Sequence, residues 1–221
     1  QNLGAGQGIH KLIEGEPIGQ IIAPIVESIN EDGSYKFTDT DGDGDFDFED
    51  WQVVGNGIPD FEASLNNNFR VGNFDINVFL RGAFGHDLVH MNRVFYEVNP
   101  SGKGLNNIRT ELYNDEVKIA SYNNTHIEDA SFVKLDNVTI AYNFDLEPSH
   151  AFQSAKVYVT GQNLLTFTGY TGVDPEVRLA DKFDSDNGGR IEASDPLAPG
   201  IDRRNTYYST RTITFGVNFG F

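Results

Sequence analysis

The sequence predicts an all-β chain, with about six strands belonging to a large transmembrane antiparallel β-barrel and long loops on one side. Three observations carry that reading. Apolar and polar residues alternate with a period of two over several long stretches. The connectors between those stretches are short and long by turns. The chain of 221 residues ends on an aromatic-rich strand, RTITFGVNFGF, closed by Phe221.

The first alternating pair is FEASLNNNFRV and NFDINVFLRGAF. Phe61, Ala63, Leu65, Phe69 and Val71 share one face, opposite Glu62, Ser64, Asn66, Asn68 and Arg70. Phe74, Ile76, Val78 and Leu80 then oppose Asp75, Asn77 and Arg81. Only a tight turn at Val71–Gly72 joins them, the signature of a hairpin. A long segment follows, from His86 to Glu128. Within it, NNIRTELYNDEVKIA (106–120) spaces Ile108, Leu112 and Ile119 loosely enough to predict a short surface helix.

ASFVKLDNVTIAYNF is the next strand, with Val138, Ile140, Tyr142 and Phe144 on one face. Its first half, Phe132 to Asp136, is out of phase with the second, which predicts a β-bulge or a switch of environment. A short connector, 145–153, leads to the strand SAKVYVTGQNLL. The Gly-, Pro- and Asp-dense stretch 166–208 reads as loop. In the last strand, Ile213, Phe215, Val217, Phe219 and Phe221 oppose Thr212, Thr214, Gly216, Asn218 and Gly220.

Alternation alone does not say where the oily face points. A soluble β-sandwich turns it into a core, and an outer-membrane barrel turns it to lipid. Short turns on one side and long loops on the other favour the barrel, because a compact sandwich has no reason to sort its loops. The rival is a soluble, Ca²⁺-stabilised β-sandwich used in adhesion or glycan binding.

The formal charge of -17 speaks against nucleic acid as a partner, since that needs a basic patch. The chain has no cysteine, which removes thiolate metal sites, cysteine nucleophiles and disulfides. No apolar run is long enough for a membrane helix, which does not bear on barrel strands. The first residues lack the pattern of a signal peptide, so the chain is expected to be mature or to begin inside something longer. No triad, carboxylate pair or nucleophile elbow is readable, and the expectation is a non-enzyme.

Three stretches, ASFVKLDNVTIAYNF, AKVYVTGQNLLTFTGYTGVDPEV and RTITFGVNFGF, resemble the C-terminal strands of SusC/RagA-type TonB-dependent outer-membrane transporters. VVGNGIPDFEASLNNNFRVGNFDINVFLRGAFGHDLVHMNR shares the resemblance, which is weakest at the N-terminus and over 98–124. It implies that residues 1–221 are the last part of a barrel of about 22 strands. The plug domain, the TonB box and the earlier strands would lie outside this chain. Without them about six strands would leave open edges in outer-membrane lipid, where backbone groups must be paired. The resemblance also implies uptake of oligosaccharides or peptides, energised through TonB, with a SusD-like lipoprotein over the mouth. The segments 20–58, 85–128 and 166–208 would be extracellular loops. The C-terminus would be periplasmic, in the outer membrane of a Gram-negative bacterium, with Phe221 as an assembly signal.

DTDGDGDFDFED is the strongest chemical motif. Asp39, Asp41 and Asp43 take the first, third and fifth positions of an EF-hand-type loop, with Gly44 at the sharp turn. Asp45 would offer its carbonyl, Asp47 would act through water, and Asp50 stands where a bidentate Glu is usual. Hard oxygens at alternate positions converge on one cation because the loop wraps it. The expected ligand is a structural Ca²⁺, and the bland alternative is a solvated acidic loop. Asp at the last position weakens the coordination.

Other signals are read plainly. GAGQGI (4–9) has no strand–turn–helix context and is a turn rather than a phosphate loop. His86 and His90 in HDLVH have metal-pair spacing, but the plain structural reading is preferred. His10, His126 and His150 are isolated, and the Asn123 and Asn137 sequons mean little in a bacterium. Trp51, Phe167, Tyr170, Tyr207 and Tyr208 read as interfacial or loop-core aromatics. No substrate-binding residue is named.

Overall fold

The computed structural model describes residues 8–97, 109–147, 153–177, 182–184, 190–192, 199–203 and 209–220. The chain divides into two compact units, one formed within 1–59, 85–130 and 170–207 and the other within 60–84, 131–169 and 208–221. Phe221, Tyr207, Tyr208, His150 and most of GAGQGI lie outside the described residues.

The chain contributes short strands β1 (Gln20–Ala23), β2 (Val26–Ile29), β3 (Tyr35–Phe37) and β4 (Gln52–Asn56) before the long strands β5 (Phe61–Val71) and β6 (Phe74–Phe84). Next come β7 (Asp87–His90), helix α1 (Met91–Tyr96) and β8 (Ile127–Asp129), then the long β9 (Phe132–Phe144) and β10 (Ser154–Thr168). The last elements are β11 (Lys182–Asp184), β12 (Arg190–Glu192), β13 (Ile201–Asp202) and β14 (Thr212–Gly220).

The long strands form one antiparallel sheet in the order β14-β10-β9-β6-β5. The expected count of about six resolves to five in this sheet; the other strands are short and belong to the other unit. Each long strand pairs with the next long strand in sequence, so the sheet is a meander. Its short connectors therefore leave one end and its long connectors the other. The β5–β6 turn is Gly72–Asn73, and Gly72 takes φ +56°, a left-handed conformation that glycine reaches without a Cβ clash.

The phase break in β9 is a bulge at Asp136. Asn137 pairs with Phe79 while Leu135 pairs with Leu80, so β9 carries one extra residue there. Asp136 and Asn137 consequently fall on the same polar face. Arg81 Nε holds the Asp136 carboxylate at 2.6 Å and stabilises the bulge. Opposite, β10 absorbs the mismatch around Asn163, which adopts φ 52°.

The two faces of this sheet are chemically distinct. Phe61, Leu65, Phe69, Phe167 and Phe215 lie on the oily face, and Phe215 is 79% exposed. A sandwich would bury such residues under a second sheet, whereas a barrel turns them to lipid. The opposite face carries a hydrogen-bonded polar network. Arg70 makes a two-point bond to Asp75, at 2.7 and 3.2 Å. Asn143 Nδ2 and Lys156 Nζ donate to the same carboxylate. Asn77 donates to both Asn66 and Asn68, and Thr139 bonds Thr160.

The oily face is graded along the strands. Phe61 stacks on Phe84, at a centroid distance of 4.8 Å, at the long-loop end. Phe74, Tyr142 and Phe144 make edge contacts at the short-turn end, where Phe219 lies across Ala155 from Phe144. Mostly aliphatic residues lie between. The ten residue steps from Phe74 to Phe84 span about 33 Å along the strand. Tilted by about 45°, that is roughly 24 Å across a bilayer, close to the apolar band of an outer-membrane barrel.

The other unit is built from small sheets, β1 with β4, β2 with β3, β11 with β12, and β7 between β8 and the parallel β13. Its core gathers Ile9, Ile21, Ala23, Val89, Val94 and Tyr122, with Trp51 packed against it. Gly57 and Gly200 cross backbone to backbone; a Cβ on Gly200 would sit 2.8 Å from Asp87 O.

The expected helix over 106–120 is not found in its described part, 109–120, which forms separate turns. Thr110 Oγ1 accepts from Leu112 N at 3.1 Å, and Asn114 Oδ1 accepts from Glu116 N at 2.9 Å. These side chains compete for the backbone donors that a helix would use. Lys118 N then bonds Gly33 O, and Val117 is buried, which anchors the segment from outside. Among the described residues the α-helix of this unit is α1 instead.

Candidate functional site

Two features of the smaller-sheet unit concern function: the acidic loop, and a cleft beside a buried charge network.

In the acidic loop, the carboxylates of Asp39, Asp41 and Asp43 each place an oxygen within 4.8 Å of the others, on an exposed surface. The backbone folds around them. Gly42 N and Gly44 N donate to Asp39 at 2.7 and 3.0 Å, Asp43 N to Asp41, and Asp45 N to Asp43. Gly42 and Gly44 take φ of 78° and 92°, where a side chain would be strained. Asp50 is placed differently. It is buried, with Oδ1 accepting from Thr40 N and Asp41 N and Oδ2 from Asp47 N. These amides, Asp47 foremost, hold its carboxyl below the usual carboxylate range. Asp47 Oδ1 caps Glu49 N. Among the described residues the structure thus brings Asp39, Asp41 and Asp43 together, and leaves the Asp45, Asp47 and Asp50 side chains outside that group. Three converging carboxylates suit a hard cation such as Ca²⁺. Phe46 and Phe48 anchor the same loop on Phe37 and Trp51, and Trp51 packs on Tyr122.

The charge network centres on Arg93 of α1, which is 4% exposed. Its Nε donates to Glu97 at 2.7 Å, and its Nη1 donates to Glu128 Oε1 and to Thr125 O, each at 2.8 Å. Glu128 also meets His90 at 3.2 Å, and its second oxygen accepts from Thr171 N and Oγ1. Burial raises the Glu128 pKa, but bonds from His90, Thr171 and Arg93 outweigh it and bring the group to about 2. Thr110 donates to the free oxygen of Glu97. Tyr170 is buried with its hydroxyl on Asp202 at 2.6 Å, and burial together with that anion raises its pKa. The HDLVH histidines are structural: His90 joins this network, and His86 Nε2 lies 3.4 Å from Pro175 O. Trp51 and Tyr170 are loop-core aromatics, whereas Phe167 is exposed on the long sheet.

A cleft of about 460 Å³ opens beside Arg93 and Glu97. Val26, Ile29, Tyr35, Leu112 and Val117 supply apolar wall; Ser28, Asn114, Glu116, Thr125 and His126 supply polar groups. The sequence reading missed this cleft. Its lining comes from β2, β3, α1, the 112–117 turns and the 3₁₀ turn Asn124–His126, with no shared motif to mark it.

No protein-family model matches the chain. TonB-dependent receptor P3 of Formosa agariphila is 30% identical over 207 residues, covering 87% of this chain and 19% of that protein. SusC, a TonB-dependent receptor of Bacteroides thetaiotaomicron, is 28% identical over 130 residues, covering 54% of this chain and 13% of SusC. The structure of the RagAB peptide transporter superposes with a TM-score of 0.67 at 18% identity, over 90% of this chain and 22% of that one. The chain is related to TonB-dependent receptors. It is similar to SusC in sequence, and its nearly all-β fold matches the RagAB structure. It spans about a fifth of the length of the curated receptors it matches over most of its own length.

Proposed function

We propose that this chain is the C-terminal barrel portion of an outer-membrane, TonB-dependent nutrient importer. The observation that carries the reading is the long sheet: a bare oily face edged by aromatics at both ends, backed by a polar face. In this reading the oily face meets lipid and the polar face lines the lumen. A plug and the remaining strands complete the barrel outside this chain and couple it to TonB. The segments 20–58, 85–128 and 166–208 are extracellular, where a SusD-like lipoprotein covers the mouth, and the C-terminus is periplasmic. The cargo is an oligosaccharide or a peptide, and the work is transport rather than covalent chemistry. The SusC and RagAB relatives support this reading.

Two neighbouring substitutions test it. Phe215→Arg puts a charge on the oily face and is expected to cost about 2–4 kcal/mol near the bilayer midplane. Thr214→Arg puts the same charge on the polar face, where it is expected to be tolerated. The readout is the heat-modifiable folded band of the full receptor in outer-membrane fractions. Equal tolerance of both would refute the lipid-facing assignment.

The same reading gives the Asp39–Asp50 loop a structural Ca²⁺ held by Asp39, Asp41 and Asp43, with Asp45 through its carbonyl and Asp47 through water. Asp50 supports the loop through its amide bonds. Asp41→Asn with Asp43→Asn should make protease cleavage within 39–50 faster in calcium and insensitive to chelator. A native receptor whose cleavage rate ignores chelator would rule the ion out.

A further inference from the structure

We propose that the Asn67 carboxamide is a contact point for a second copy of the receptor within the membrane. The inference rests on the importer reading, in which the oily face of the long sheet meets lipid. Its starting point is a polar residue on the wrong face. Asn66 and Asn68 both accept from Asn77 Nδ2, at 2.6 and 2.8 Å, which fixes them on the polar face. The β5–β6 pairing runs without a register shift, so Asn67 between them turns to the oily face, flanked there by Leu65 and Phe69. It stands near the middle of β5 (Phe61–Val71), far from both aromatic ends and so close to the centre of the apolar band.

Nothing in the sheet answers this amide, whose side chain forms no hydrogen bond among the described residues. Its row across the sheet continues through Val78, Val138, Gly161 and Ile213, none of which has a polar side-chain atom. The row is apolar on each described strand, which argues against a polar partner on the strand that would flank the free edge of β5. Acyl chains offer no donor or acceptor at this depth, and water is absent there. An unanswered amide in such surroundings costs free energy, so a polar group kept inside a membrane points to a contact.

The chemistry of the amide selects the occupant. A carboxamide carries both donors and an acceptor. Two of them related by a twofold axis satisfy each other through a pair of N–H···O bonds. A twofold contact presents the same patch on both copies, so a residue at the axis must be its own complement. Asparagine is, whereas a carboxylate or an ammonium would repel its copy. Leu65 and Phe69, both exposed, supply the apolar surround that packs against its counterpart and shields the paired amides.

The test uses the full receptor in outer membranes, with any cysteine outside this chain replaced, since this chain has none. Leu65→Cys puts a thiol beside Asn67 and leaves the amide in place. A membrane-permeant bifunctional thiol reagent is expected to convert this variant into a covalent dimer. Val157→Cys, on β10 of the same face, is expected to react with a lipophilic maleimide and to give no dimer. Adding Asn67→Leu to Leu65→Cys should cut the dimer yield about tenfold, the scale of a hydrogen bond between polar side chains in a membrane. The heat-modifiable folded band should stay as strong. A yield that Asn67→Leu leaves unchanged overturns the proposal, as does an equal yield from Val157→Cys. A folded band weakened by Asn67→Leu overturns it too, because the amide then serves a neighbouring strand. If Val157→Cys resists the maleimide in folded receptor, the lipid-facing reading fails and takes this proposal with it. If Val157→Cys reacts and Leu65→Cys gives no dimer, this proposal fails alone.

Discussion

Arg93→Met is expected to loosen the small-sheet unit strongly. The guanidinium neutralises Glu97 and Glu128, both almost fully buried, and ties α1 to Thr125. Removing one member of a buried ionic cluster leaves uncompensated charge and typically costs about 3–5 kcal/mol. The methionine fills the space, so the loss is electrostatic rather than a cavity effect. Hydrogen exchange on the full receptor should show faster exchange across 87–97 and 125–130 with little change in the long strands. Adding Glu128→Gln should recover part of the loss, because it removes one of the stranded charges. No recovery in the double variant would mean that Arg93 acts through packing alone.

Acid is expected to destabilise the same unit, with His126 as the first cause. Its folded pKa lies near 4, below the ordinary value of 6.5, because burial and the nearby Arg93 and His90 oppose a second positive charge. The unfolded chain therefore takes up a proton in a range where the folded unit does not. This contribution is fully present above pH 6.5 and is lost as the pH falls toward 4. A shift of this size is worth on the order of 3 kcal/mol. Glu128, brought to about 2, adds a second loss between its ordinary value of 4.5 and 2. Exchange rates compared at pH 7 and pH 5, corrected for intrinsic chemistry, should rise in 122–130. His126→Gln should remove most of that rise. An unchanged pH response in that variant would place the sensitivity elsewhere.

Such effects trace back to contacts that a linear reading cannot see. The alternation in β5, β6, β9, β10 and β14 was legible because strand geometry has a period of two, which neighbouring residues express directly. The bulge at Asp136 was legible for the same reason, as a break in phase. Asp39, Asp41 and Asp43 converge because their spacing is local and Gly42 and Gly44 permit the turns. The helix expected over 106–120, not found in the described residues 109–120, shows the limit of periodicity. Thr110 and Asn114 redirected the backbone locally, and Gly33, distant in sequence, supplied the pairing.

By itself the sequence determined the five long strands, the oily parity of each and the acidic loop, because those depend on residues a few positions apart; the short strands within 20–58, 85–128 and 166–208, read as loops, it did not. Only the tertiary structure decided what the remaining polar residues do. Arg93 meets Glu128 across 35 positions, Tyr170 meets Asp202 across 32, and His86 meets Pro175 across 89. It also decided that Asp50 serves backbone amides and that His126 is left beside a cleft. Burying a charge or an imidazole is tolerable only where a partner is delivered to it. That delivery depends on how distant segments pack, which no local pattern of residues records.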